Sequence, residues 1–78
     1  MPEKFTINAS WDDQAKVWIA TSEDVPGLCC EDKSLEGLIE VVTGLVPELL
    51  AANGIVTDAR DIPLNVLAQR QTTIHRAA

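Results

Sequence analysis

The chain has 78 residues, 46% apolar and 23% charged, with six Lys and Arg against twelve Asp and Glu. It is too apolar for a disordered chain and long enough for one small domain, on a thin margin: a ~60-residue domain buries only about 60% of its unfolded surface, so self-association is a reasonable expectation. The net charge of −6 disfavours direct binding to nucleic acid, whose phosphates demand a basic face, and fits a basic protein partner.

Met1-Pro2-Glu3-Lys4 carries no charged-then-apolar export signal. No apolar run reaches the ~20 residues of a membrane span. A cytoplasmic location is therefore expected. Residues 4–11 alternate, with Phe5, Ile7, Ala9 and Trp11 on one face and Lys4, Thr6, Asn8 and Ser10 on the other. Period two predicts a strand with one buried face. Asp12-Asp13-Gln14-Ala15 is a polar break, and Lys16–Ser22 reads as the return strand of a hairpin. Glu23-Asp24-Val25-Pro26-Gly27 turns the chain, because proline fixes φ and glycine permits positive φ. Leu28–Glu31 follows as a short third strand. Its adjacent Cys29 and Cys30 point to opposite faces, cannot staple distant segments, and are expected as free thiols.

Ser34 is a good helix N-cap, and Glu36 sits in the first turn, where the helix dipole favours negative charge. Apolar residues recur at 35, 38, 39, 42, 45, 46 and 49, the spacing of one buried helix face. Glu36, Glu40, Thr43 and Glu48 take the opposite face. Gly44 and Pro47 weaken the helix, which predicts a kink near 44–47 or a second short helix starting at Pro47. Asn53-Gly54 ends it, with either residue suited to a left-handed cap. Ile55–Asp61 is a connector. Ile62, Leu64, Val66 and Ala68 then alternate with Pro63, Asn65, Leu67 and Gln69, which predicts a fourth strand, although Leu64–Gln71 also passes for a helix. Residues 72–78 have nothing to bury and read as a frayed tail behind a single domain at 1–71. The fold class is α+β, in the order β-β-β-α-β. A small mixed sheet packs one face on one helix, and the fourth strand enters beside the first, parallel to it, by a right-handed crossover.

The sequence offers no credible catalytic set. Asp12, Asp13, Glu23, Asp24, Glu31 and Asp32 follow turn chemistry; a metal nuclease needs carboxylates converging on one point. His75 is the only histidine and has no acid–base partner near it. Two adjacent cysteines and one distant histidine do not make a zinc site. The four glycines are scattered, so no phosphate-cradling loop exists. Ser34 is explained by its capping role. No enzyme activity, metal or cofactor is expected. Trp11 and Trp18 leave two placements open: opposite faces of the hairpin with one exposed as an interface anchor, or both in the core.

The hairpin, then Val25-Pro26-Gly27-Leu28-Cys29, then Glu31-Asp32-Lys33-Ser34-Leu35-Glu36-Gly37-Leu38, resembles the HicB antitoxin domain. Trp11-Asp12, Val17-Trp18 and Pro47-Glu48-Leu49-Leu50 with Asn53 look like its short stand-alone branch. The resemblance covers about residues 4–70. It implies a partial RNase H-like fold without the catalytic acids of a true RNase H. It also implies a protein that masks a small, basic ribonuclease toxin of the HicA type, whose active site carries a histidine. Many HicB proteins add a DNA-binding region at the C-terminus; after the fourth strand this chain has too few residues for one.

The expected function is therefore a protein-binding module that neutralises a basic toxin by occlusion. Trp18, Glu23, Asp24 and Pro26 are the expected contact residues. The alternative is a stand-alone oligomeric module with an unknown ligand and no toxin. A homodimer or higher homo-oligomer, without nucleic acid or membrane, is expected in either case, because an open sheet has two edges to protect.

Overall fold

A computed structural model describes residues 4–55 and 61–77. Its elements in chain order are β1 (Phe5–Asp12), β2 (Val17–Thr21), β3 (Cys29–Asp32), α1 (Leu35–Ala52) and β4 (Leu64–Gln69). The four strands form one sheet in the order β3-β2-β1-β4. β1 is antiparallel to β2, β2 is antiparallel to β3, and β4 runs parallel to β1. The fold is thus the expected α+β arrangement, a mixed sheet with one helix packed against it. A parallel neighbour needs a long crossover, and α1 lies within it.

The hairpin is organised by Asp12. Its Oδ1 accepts the N–H of Gln14 at 3.0 Å and of Ala15 at 3.1 Å, and its carbonyl accepts the N–H of Lys16 at 2.8 Å. Lys16 closes the turn at φ 58°, in the left-handed region that crowds an L side chain. Asp12 then pairs with Val17, which sets Trp11 opposite Trp18 and Ala9 opposite Ala20. Directly opposed residues share a face of the sheet. The tryptophans therefore lie together, not on opposite faces. Both are half-buried, with ring centroids 5.6 Å apart in an edge-to-face arrangement.

The β2–β3 corner is tied to β1 by side chains. Ser22 Oγ donates to the Thr6 carbonyl at 2.6 Å and accepts the N–H groups of Asp24 and Val25 at 3.1 and 3.2 Å. The Asp24 carboxylate accepts the Thr6 N–H at 2.8 Å. These bonds hold Val25 and Leu28 over the core, where both are buried. Gly27 takes φ 84°, as the corner requires.

α1 is capped as the sequence indicates. Ser34 is extended, and its Oγ accepts the Gly37 N–H at 3.0 Å. The helix runs unbroken through Pro47 and does not restart there. Pro47 deprives the Thr43 carbonyl of a helical partner. Thr43 is exposed, so water can take that place. Meanwhile Leu38, Val42, Val46 and Leu50 form a stripe four residues apart, and all are buried. Burial of that stripe on both sides of the proline outweighs the lost bond; each large apolar side chain contributes roughly 1.5–3 kcal/mol. At the end, Gly54 rather than Asn53 takes the left-handed conformation, at φ 69°.

The helix-facing side of the sheet carries Phe5, Ile7 and Ala9 from β1 and Ala20 from β2, all buried. Trp18, Cys30, Leu64 and Val66 pack around them, partly buried. β4 adopts the strand and not the helix. It is shorter than its pattern: Ile62 and Pro63 precede it, and the Pro63 carbonyl accepts the Phe5 N–H at 3.0 Å. The connector at 56–60 lies outside the described residues.

Candidate functional site

The four expected contact residues fall in two places. Trp18 lies near the hairpin end of β2, opposite Asp32 of β3, and packs against the core. Glu23, Asp24 and Pro26 belong to the corner beyond the other end of β2. At ~3.3 Å per residue a strand separates Trp18 from that corner by more than 10 Å, so the four do not form one patch. Glu23 and Pro26 are exposed. Asp24 is occupied by the Thr6 N–H, and the Pro26 carbonyl accepts Asn53 Nδ2 at 3.2 Å. Trp18, Asp24 and Pro26 thus all make contacts within the fold, and Glu23 and Pro26 are exposed.

The two sheet edges differ in chemistry. Along the segment leading to and from edge strand β3, residues 23–40 hold Glu23, Asp24, Glu31, Asp32, Glu36 and Glu40 against a single Lys33. Glu23, Glu31, Glu36 and Glu40 are exposed. The ion pair among the described residues, Lys16–Asp13 at 3.0 Å on the hairpin turn, involves none of them. Cys30 turns inward and Cys29 outward, both as free thiols. Burial, and then the neighbouring Cys29, push the Cys30 thiol above its ordinary value.

At the opposite edge, β4 carries an apolar groove. Thr43, Val46 and Pro47 of α1 face Asp61, Ile62 and Leu64 across a cavity of about 290 Å³. It opens there because the helix makes its close approach to β3 and β2. Beyond Gln69 the chain continues without regular structure, and residues 70–77 are all exposed. Arg70 reaches back over Trp11, 4.4 Å from the ring centroid, and Trp11 Nε1 donates to Asp13 at 3.3 Å. Asp13 is held below the usual carboxylate range, chiefly by its hydrogen bond from Lys16 and then by that from Trp11. Ile74 is 85% exposed. Sequence reasoning missed the groove, since its walls come from residues far apart in the chain. A signal for Ile74 was present: one apolar residue between Thr72-Thr73 and His75-Arg76.

Among the described residues, no three His, Cys, Asp or Glu side chains converge to hold a metal. No helix among them is long and apolar enough to cross a membrane.

Residues 4–76 match the model of a domain of unknown function, DUF1902. The chain belongs to this family. A solved structure is similar to this DUF1902 chain: the crystal structure of a hypothetical protein from the extremely thermophilic bacterium Thermus thermophilus. The two share 34% identity and superpose with a TM-score of 0.70 over 94% of this chain and 99% of that one. No curated protein matches the chain.

Proposed function

We propose that the chain is a cytoplasmic protein-binding module of the HicB-like antitoxin type, which neutralises a small basic HicA-like ribonuclease by covering its active surface. The observation that carries this reading is the acidic β3 edge. A four-residue edge strand, Cys29–Asp32, leaves backbone groups open, and exposed Glu23, Glu31, Glu36 and Glu40 surround it with negative charge. A basic partner is steered by that charge and seated on the open edge. The ordered series from Val25 to Leu38, which resembles the HicB antitoxin domain, forms this same edge and the helix entry behind it. Trp18 acts from beneath, by keeping β2 and β3 in place. Glu23 and Pro26 are the corner residues free to touch a partner.

The test is a tagged pull-down from the native host at low and moderate salt, with the eluate sized and identified. A stoichiometric small basic ribonuclease, lost at high salt, is expected. Glu23→Lys with Glu31→Lys should weaken its capture at least tenfold, mainly through slower association. If no such protein is captured, or the double variant captures it equally well, the reading fails. The second reading is a stand-alone oligomeric module with another ligand. The open β4 edge, with Leu64 and Val66 only half-buried, favours it.

A further inference from the structure

The unused feature of this molecule is its C-terminal arm. Residues 70–77 leave the hairpin end of β4 without regular structure, and all of them are exposed. The arm holds Arg70, His75 and Arg76 and no acid, whereas residues 1–69 hold all twelve acids and the four other bases. It also holds Ile74, 85% exposed beside β-forming threonines. Nothing among the described residues covers Ile74.

We propose that the arm is a docking strand exchanged between two copies of this chain, pairing antiparallel with the open edge of β4 about a two-fold axis near Arg70. Three features of the chain fit this arrangement, the first two being consequences of one strand period. The first is the direction of the backbone. The Pro63 carbonyl faces β1, where it accepts the Phe5 N–H. Successive residues of a strand alternate in direction, so the N–H and C=O groups of Leu64, Val66 and Ala68 point to the open edge. Continued as a strand in the dimer, the arm turns those of Thr72, Ile74 and Arg76 outward by the same count. A two-fold at Arg70 pairs Thr72 with Ala68, Ile74 with Val66 and Arg76 with Leu64 of the second copy, each outward residue against an outward residue.

The second feature is the side-chain face. Leu64, Val66 and Ala68 lie opposite Phe5, Ile7 and Ala9, on the helix side. Period two puts Ile74 on that side as well. It then covers half-buried Val66 and points to the groove of Val46, Pro47, Ile62 and Leu64. The third is charge and reach. Arg76 arrives beside Leu64, where Asp61 lines the groove. Residues 71–77 span the β4 edge end to end, since β4 is Leu64–Gln69. The two Arg70 side chains do not collide at the axis, because each is drawn onto its own Trp11. The β3 edge is more acidic but shorter, at four residues, and offers no apolar site for Ile74. Pairing there would also be heterologous, arm to β3, and would not set each arm against its own strand's copy about one two-fold axis.

This proposal does not rest on the toxin reading, since the arm and the β3 edge lie on opposite margins of the sheet. Sedimentation equilibrium of the full chain tests it, together with amide exchange read residue by residue. A dimer is expected, with the Val66 and Ala68 N–H groups protected as it forms. Ile74→Asp should raise the dimer dissociation constant ~30-fold or more, as loss of a central apolar anchor does, while the melting temperature of the dilute, monomeric chain stays unchanged. A chain that is monomeric at every concentration overturns the proposal. So does a dimer indifferent to Ile74→Asp, or growth into longer polymers. If Ile74→Asp disturbs folding, the exchange data on the unaltered chain decide: Val66 and Ala68 amides unprotected in the dimer would place the contact elsewhere.

Discussion

The two margins of the sheet solve the problem of an open edge differently. The β3 margin is finished from within: Val25 and Leu28 are buried, Ser22 and Asp24 tie the corner to Thr6, and charged residues face water. Such a short, charged edge resists pairing with copies of itself. The β4 margin is left unfinished. Leu64 and Val66 are only half-buried, Leu67 is 53% exposed, and a groove stands open beside the strand. The asymmetry follows from one choice of packing. A single helix cannot cover four strands evenly, and α1 sits toward β3 and β2. The uncovered apolar side is where a second chain adds burial.

Truncation of one apolar side chain on each margin gives the largest contrast. Leu28→Ala removes a buried side chain, 4% exposed, and should cost about 2–5 kcal/mol of unfolding free energy at any protein concentration. Leu64→Ala removes a half-buried one, and its cost should be about 1–2 kcal/mol in dilute solution. That cost should grow with concentration, because the dimer buries Leu64 further and association adds to apparent stability. Denaturant melts at two concentrations measure both. Equal, concentration-independent costs would erase the distinction between the margins.

The corner knot is the next test. Ser22→Ala strands the Thr6 carbonyl and the N–H groups of Asp24 and Val25, and should destabilise the chain by about 1–2 kcal/mol. Asp24→Ala should cost about the same, since a charged acceptor is lost from the Thr6 N–H, and Asp24→Asn less, because its amide oxygen still accepts. Neither change should move the dimer constant. If Asp24→Ala leaves stability intact and abolishes partner capture instead, Asp24 is a contact residue after all.

Much of the fold was legible because it is local. The alternation from Phe5 to Trp11, the Ser34 cap and the 38-42-46 stripe each state an element within a dozen residues, and each is found in place. What was not legible depended on register or on balance between distant parts. The faces of Trp11 and Trp18 turn on whether the hairpin pairs Asp12 with Val17, which rests on Lys16 accepting φ 58°. No glycine or asparagine stands there to announce it. The fate of Pro47 turned on how strongly Val46 and Leu50 are buried beneath the sheet, which helix propensity alone does not contain. At the candidate surface, the exposure of Glu23 and Pro26 was legible because it follows from turn chemistry. The packing of Trp18 against the core and the Thr6 bond to Asp24 were not, because both depend on the pairing of distant strands.

Lys16 gives a smaller effect, and one that leaves both margins alone. Lys16→Gly should stabilise the chain by up to ~1 kcal/mol, since glycine removes the crowding at positive φ and the exposed pair with Asp13 contributes little. A loss of stability would mean that the pair, not the turn, governs the hairpin.

The smallest effect distinguishes the margins without altering the sequence. Cys29 is exposed on the outer face of β3, and Cys30 points to the core with its thiol pushed up by burial and by Cys29. A raised thiol value means less thiolate at a given pH, and the thiolate is the form that is alkylated. A small alkylating reagent near neutral pH should therefore modify Cys29 first, and the lag of Cys30 should shrink as pH rises. The singly modified chain carries its new group beside Glu31, on the edge offered to a basic partner. Its capture of that partner should fall, and its sedimentation as a dimer through β4 should not change. Were Cys29 alkylation to dissociate the dimer instead, β3 and not β4 would be the edge that meets the second copy.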